Sequence, residues 1–171
     1  MLNNRVAIVT GGLQGIGLAI VKALHQQGAR VAVGARRGAD PIASAEAKQI
    51  VGDQGMVAAL DVRSTDSVNS FVAEVTAQLG ICDILVNAAG ISVHHIVSGH
   101  SDVDWEAVID TNLNGPFRMI RACIDPMKAA GWGRIVNIAS TAARTAEPTH
   151  AAYCASKSGL VGLTRAVALE G

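Results

Sequence analysis

Short runs rich in Val, Ile and Ala recur along the chain, each followed by a stretch with helical patterning, and this alternation constrains the fold more than any other feature. The first run, Val6–Thr10, passes through Gly11-Gly12-Leu13-Gln14-Gly15-Ile16-Gly17 into a helical pattern over Leu18–Gln27. Arg30–Ala35 reads as a second strand, and Pro41 at a helix start with the Ala-rich stretch to Ile50 predicts a crossover helix. Gly55 releases a third strand, Met56–Leu60; Ser64 or Thr65 caps a helix over Asp66–Leu79, and Asp83–Asn87 is a fourth strand. Beyond a polar stretch holding His94, His95 and His100, helices are predicted over Asp102–Ile109 and from Asn112 to Ala130. A fifth strand, Arg134–Ala139, and a helix from His150 to Gly171 complete the chain. Parallel neighbours need a crossover of a dozen or more residues, and helices supply it. The alternation therefore predicts an α/β fold, a doubly wound parallel sheet with helices on both faces.

Composition agrees with such a sheet and narrows the partners. Half of the 171 residues are hydrophobic, only 3% are aromatic and 18 are Gly, as expected where Ala, Val, Ile and Leu build strands buried on both faces. One domain over residues 1–171 accommodates this length. Basic and acidic residues number 14 each, with no run of like charge, which argues against nucleic acid and membrane surfaces and for a small-molecule partner. Cys82, Cys123 and Cys154 are an odd number without metal-ligand spacing, so they read as buried small hydrophobes. The apolar run Val6–Val9 is too short for a secretion signal or a membrane span, which makes a cytoplasmic location the default expectation.

The glycine segment carries the first chemistry. Gly11 permits a tight turn off the first strand, Gly15 lets backbone N–H groups approach a pyrophosphate, and Gly17 allows the helix to pack closely against the strand. The helix N-terminus then faces the phosphates, so the segment predicts dinucleotide binding; the alternative is an ordinary strand-to-helix loop. An acid at the end of the second strand would bond a ribose 2′-hydroxyl, whereas a base would pair a 2′-phosphate. Here the strand ends Gly34-Ala35-Arg36-Arg37, without a carboxylate, which favours NADP over NAD with Arg36 as the phosphate clamp.

Tyr153 and Lys157 lie four apart on a predicted helix, hence on one face. An ammonium beside a phenol favours the charged phenolate, which makes the pair a candidate for proton exchange; alone, the spacing equally fits a solvated helix pair. Together with Thr10-Gly11-x-x-x-Gly15-x-Gly17, Asp61-Val62, Asn87-Ala88-Ala89-Gly90, Asn112 and Ser140, the chain resembles the short-chain dehydrogenases/reductases along essentially its whole length. Ala88 stands where that family has Asn.

The resemblance implies a Rossmann-like fold and an oxidoreductase that interconverts a carbonyl and a secondary alcohol. It implies cofactor contacts from Gly11, Leu13, Gly15, Ile16, Gly17, Arg36, Asp61, Val62, Asn87, Ala88, Gly90, Tyr153 and Lys157. It also implies a catalytic set of Asn112, Ser140, Tyr153 and Lys157. Ser140 and Tyr153 would bring hydroxyls to the carbonyl oxygen, Tyr153 would exchange the proton, Lys157 would hold the nicotinamide ribose, and Asn112 would hold a relay water. A non-catalytic nucleotide-binding sensor or scaffold of the same fold is the competing reading. No metal site is expected at His94, His95 and His100, which read as a solvated loop or pocket rim; Arg144, Glu147 and His150 read as loop surface or substrate contacts. By resemblance a homodimer or homotetramer forms through the long helix and the catalytic helix, whose Ala152, Gly159 and Gly162 are expected on exposed faces. Family chains continue with another strand, a substrate-covering loop and a final strand, so the sequence is expected to be a fragment lacking its C-terminal strands.

Overall fold

A computed structural model describes residues 2–170. Among them, β1 (Val6–Thr10), β2 (Arg30–Ala35), β3 (Met56–Ala59), β4 (Ile84–Asn87) and β5 (Arg134–Asn137) form one parallel sheet in the order β3-β2-β1-β4-β5. The connecting helices are α1 (Gly15–Gln26), α2 (Pro41–Val51), α3 (Thr65–Gln78), α4 (Asp102–Ile109), α5 (Gly115–Ala129) and α6 (Ala151–Ala168). This is the doubly wound, Rossmann-like α/β architecture that the alternation predicts.

Side chains alternate across the strands and so feed two cores. On one face Ala7, Val9, Val31 and Val33 meet Leu18 and Val21 of α1 and Ala47 and Val51 of α2. On the other, Ile8, Ala32 and Leu85 meet Phe71 and Val75 of α3 and Met119, Ile120 and Cys123 of α5. Covered on both sides, β1 is buried at every position. Each large side chain such as Phe71 contributes about 2–3 kcal/mol by leaving water.

The helix starts follow local chemistry. Asp40 caps α2 by accepting the Ile42 and Ala43 N–H groups ahead of Pro41, and Ser64, rather than Thr65, caps α3 through the Ser67 N–H. Two expectations shift. Helix α1 begins at Gly15 instead of Leu18, so Gly17 lies within its first turn. The helix expected from Asn112 instead begins at Gly115, preceded by a π-helical turn over Asp110–Asn114 that makes it continuous with α4. The Gly115 N–H bonds the Asp110 carbonyl, five residues back, immediately before Pro116, which has no N–H to continue an α ladder. Of the last predicted helix, α6 ends at Ala168, and the expected end at Gly171 lies outside the described residues.

The sheet order places β1 between β2 and β4, which the chain reaches by winding in opposite directions. The loops leaving β1 and β4 therefore part above the sheet, where a crevice opens at the strands' C-terminal ends. The Thr10 hydroxyl ties the two sides together by accepting the N–H groups of Ala88 and Ala89, each at 3.1 Å.

Candidate active site

The crevice is a cleft of about 560 Å³. Of the residues expected at a cofactor, Gly11, Leu13, Gly15, Ile16, Gly17, Arg36, Asp61, Val62, Ala88 and Gly90 line it. Two glycines owe their place to close contact. A Cβ on Gly11, whose φ is +70°, would lie 2.8 Å from the Ala89 Cα, and one on Gly17 would overlap the Gly11 carbonyl. Gly15, at φ +55°, faces open space. Asp40, Ser64 and Ser101 cap α2, α3 and α4, whereas α1, like α5 and α6, has no side-chain cap among the described residues. Its leading N–H groups, at Gly15 to Gly17, thus border the cleft without a side-chain acceptor and fit a phosphate group.

At the β2–β3 side the charges are sorted by pairing. Arg37 is engaged with Asp40 at 2.8 Å, while Arg36 is exposed and has no ion-pair partner among the described residues. Asp61 is gripped by Arg63, whose Nη2 lies 2.8 Å from Oδ2 and whose Nε lies 3.0 Å from Oδ1. The Arg63 side-chain hydrogen bond holds the Asp61 carboxyl below the usual carboxylate range, against the opposing effect of burial.

At the β4–β5 side, three of the four expected catalytic residues sit on elements that pack together. Asn112 is fully buried in the π turn; its Oδ1 accepts the Ile91 N–H at 2.9 Å and its Nδ2 donates to the Ile91 carbonyl at 2.8 Å and to Ser156 Oγ at 3.2 Å. Lys157, 5% exposed, donates from Nζ to the Ile138 carbonyl at 2.7 Å. Its ammonium also lies 3.8 Å from where a Gly90 Cβ would be, at the edge of the cleft. Burial pushes Lys157 below the ordinary lysine value. Tyr153 presents its ring 5.7 Å from that ammonium, and its hydroxyl has no hydrogen-bond partner among the described residues.

Ser140 lies three residues past β5 rather than at its end, and caps a short 3-10 turn over Thr141–Ala143 by accepting the Ala142 N–H at 3.2 Å. That turn is fastened to α6 by the Ser158 hydroxyl, which donates to the Ala143 carbonyl at 3.2 Å, and by the buried Ala142. Asn87, expected at the cofactor, does not line the cleft. It is buried beside its register partner Asn137, donating from Nδ2 to Asn137 Oδ1 at 2.8 Å, so it braces β4 against β5.

The rings of His94 and His150 have centroids 4.1 Å apart, and the His150 ring lies 6.3 Å from that of Tyr153. The His95 N–H bonds the Thr149 carbonyl at 3.0 Å, joining the loop after β4 to the start of α6. No group of three or more metal-ligating side chains occurs among the described residues. The thiol of Cys123, together with burial, pushes the Cys82 thiol well above the ordinary range, in keeping with an inert packing role for both. The small residues of α6 depart from expectation. Ala152 is fully buried and Gly159 abuts Leu113, leaving Gly162 as the one with open space before it.

Several contributors were not singled out from sequence: Arg63, Ile91 and Thr111 also line the cleft, and Ser156 anchors Asn112. A base two residues after Asp61 was a visible signal for Arg63. Nothing local marks Ser156, whose role depends on the distant π turn.

A family model described as short chain dehydrogenase matches residues 5–171. D-threitol dehydrogenase from Mycolicibacterium smegmatis is 42% identical over 173 residues, spanning 99% of this chain and 65% of its own length. Acetoacetyl-CoA reductase from Allochromatium vinosum is 39% identical over 170 residues, covering 98% of this chain and 69% of its own. The crystal structure of gox2181 superimposes with a TM-score of 0.92 at 39% identity, over 99% of this chain and 67% of that one. The chain spans about 65% of the length of the first curated relatives it matches. No described helix is long and apolar enough to cross a membrane.

Proposed function

The chain belongs to the short-chain dehydrogenase/reductase family, and on that premise we propose that it interconverts a carbonyl and a secondary alcohol with NADP(H) as redox partner. The observation that carries this reading is the approach of Asn112 Oδ1 and Lys157 Nζ, 3.4 and 3.8 Å from where a Gly90 Cβ would be, to the Gly90 end of the cleft that the glycine loop opens, with the Tyr153 ring 5.7 Å from that ammonium. When bound, the nicotinamide supplies or accepts the hydride; the remaining work falls to side chains of this chain.

The uncapped N–H groups of α1 fit the pyrophosphate, and Arg36 fits a 2′-phosphate because Arg37 is already engaged by Asp40. Ser140 Oγ accepts the Ala142 N–H and so keeps its own proton to donate to the substrate carbonyl oxygen. Tyr153 donates the second hydrogen bond and then the proton itself, or removes one in the oxidative direction. Lys157, confined by the Ile138 carbonyl, holds the ribose hydroxyls and brings positive charge to the phenol. Asn112 holds the loop after β4 in register with α6, so that Gly90 and Lys157 keep their spacing.

The substrate is a small carbonyl or alcohol compound; relatives named for D-threitol and acetoacetyl-CoA bracket the range from polyol to 3-oxoacyl thioester. Residues 1–171 belong to one cofactor-binding and catalytic domain. The protein assembles as a homodimer or homotetramer through α5 and α6, a reading supported by the 46% exposure of Phe117 and the open surface at Gly162. A full-length Tyr153→Phe variant tests the mechanism against a panel of carbonyl substrates with NADPH and NADH. Cofactor binding is expected to persist while reduction falls by at least about a hundredfold; undiminished reduction would sink the mechanism.

A further inference from the structure

Helix α6 carries Lys157 along β5, and side-chain hydrogen bonds fasten the two at separate heights. Lys157 Nζ donates to the Ile138 carbonyl, one residue past the strand, at 2.7 Å. Two turns further along the same helix face, Thr164 Oγ1 accepts Asn137 Nδ2 at 2.9 Å. The Thr164 hydroxyl is oriented for this contact, because its own proton goes to the Leu160 carbonyl at 2.7 Å and leaves the oxygen lone pairs to the amide. Asn137 is held in turn from its other side. Its Oδ1 accepts Nδ2 of Asn87, its register partner on β4, at 2.8 Å. Asn87 is 3% exposed and its Oδ1 meets no donor among the described residues, so the Asn137 bond is all that this buried amide makes there. A strap of side chains therefore runs from β4 through β5 to α6.

Resting on the oxidoreductase reading above, we propose that Asn137 and Thr164 are positioning residues for Lys157: their hydrogen bond fixes the height of α6 along β5, and with it the reach of the ammonium toward the cleft. Lys157 cannot set that height alone. Its four-carbon stem is flexible, so a displaced helix changes where the ammonium sits between the Ile138 carbonyl and the Gly90 edge, and Tyr153 on the same helix moves with it. A misplacement of about 1 Å at reacting groups costs up to about a hundredfold in rate. The strap supplies a rigid reference against such movement. Asn137 directly precedes Ile138, whose N–H bonds the Asn87 carbonyl at 3.0 Å, so the acceptor of Lys157 and the clamp on Thr164 ride on one braced piece of backbone. Thr164 itself is exposed, so its bond adds only about 0.5–1 kcal/mol to folding. Its removal should disturb alignment while leaving the fold in place.

The test compares full-length Thr164→Val, which keeps the side-chain shape and loses the hydroxyl, with full-length Thr164→Ser, which restores the hydroxyl. Asn137→Ala is the less informative choice, since it strips Asn87 of its partner and loosens the sheet as well. Thr164→Val is expected to lower kcat about tenfold at saturating NADPH. It should also weaken NADPH binding about threefold, because Lys157 reaches the nicotinamide ribose, and leave 2′,5′-ADP, which lacks that ribose, bound as in the wild type. Thr164→Ser should stay within about twofold of the wild type in all three measurements. Three results overturn the inference: a Thr164→Val protein with wild-type kcat and NADPH affinity, equal weakening of 2′,5′-ADP, which marks a general disturbance of the fold, or a Thr164→Ser protein as impaired as Thr164→Val, which makes shape rather than the hydroxyl decisive. The first of these leaves the oxidoreductase reading intact. A wild-type protein that neither binds NADPH nor reduces any carbonyl overturns both.

Discussion

Replacing Asn112 by Ala tests whether this residue is a structural clamp as well as a member of the catalytic set. The Asn112 side chain is fully buried and makes three hydrogen bonds, two of them to the backbone N–H and carbonyl of Ile91. Its removal leaves both Ile91 groups without their partner; because Ile91 is only partly buried, water recovers some of each, and about 1 kcal/mol apiece is the appropriate loss. The third bond, to Ser156, is the longest, and Ser156 keeps its own bond to the Tyr153 carbonyl at 2.8 Å. The vacated volume in a fully buried site adds about 1 kcal/mol. The expected destabilisation is therefore about 3 kcal/mol. Urea unfolding of the full-length protein measures it, with Asn114→Ala as the control. Asn114 is exposed and bonds only Asp110 Oδ1, so its replacement should cost less than about 0.5 kcal/mol. Should Asn112→Ala lose turnover at unchanged unfolding midpoint, Asn112 would be a relay residue alone and the clamp argument would be refuted.

Three further outcomes follow from the same geometry. Gly17→Ala drives a methyl group into the Gly11 carbonyl, so α1 must move away from the loop. A loss of about 1–3 kcal/mol in unfolding free energy, together with weakened dinucleotide binding in calorimetry, is expected. Arg36→Ala should raise the Michaelis constant for NADPH at least about tenfold and leave that for NADH unchanged, as steady-state kinetics with both cofactors will read. Lys157→Met should abolish turnover and remove a pH dependence of stability. Burial lowers the native Lys157 value from 10.5, so the unfolded chain binds the extra proton and the wild type gains stability as pH rises from that lowered value toward 10.5. Thermal midpoints of the two proteins compared between neutral and alkaline pH should show that gain in the wild type alone.

The sheet was legible in the sequence because each strand is a continuous β-branched or Ala-rich run, ended by Gly or a polar residue, and the helices after β2 and β3 carry their own caps. The cleft was legible for a related reason: glycine positions are dictated by backbone contact, and Gly11 and Gly17 meet that demand literally. The π turn was harder to see. Asp110-Thr-Asn-Leu-Asn-Gly reads as helix, and only Pro116, placed where an α ladder would need its N–H, hints that the turn must widen. The small residues of α6 misled because size alone cannot distinguish a face that meets another copy from one that meets the same chain; Gly159 is small to admit Leu113. The choice between Arg36 and Arg37 could have been sharpened in advance, since Asp40 stands three residues after Arg37.

The two ends of the cleft are held by different physics, and this sets how each can change. At the Gly90 end, backbone groups after β4 are bonded by buried side chains from distant elements, Thr10 on β1 and Asn112 in the π turn, and Lys157 is anchored by the backbone after β5. Altering any of them disturbs packing and chemistry together. At the β2–β3 end Arg36 has no ion-pair partner among the described residues, and the other charged groups are exposed pairs within a few residues of one another, Arg37 with Asp40 and Arg63 with Asp61. Exposed pairs contribute at most about 1 kcal/mol to folding. On the proposed reading, substitutions there alter cofactor choice with little effect on stability, whereas the Gly90 end admits few changes that spare the fold.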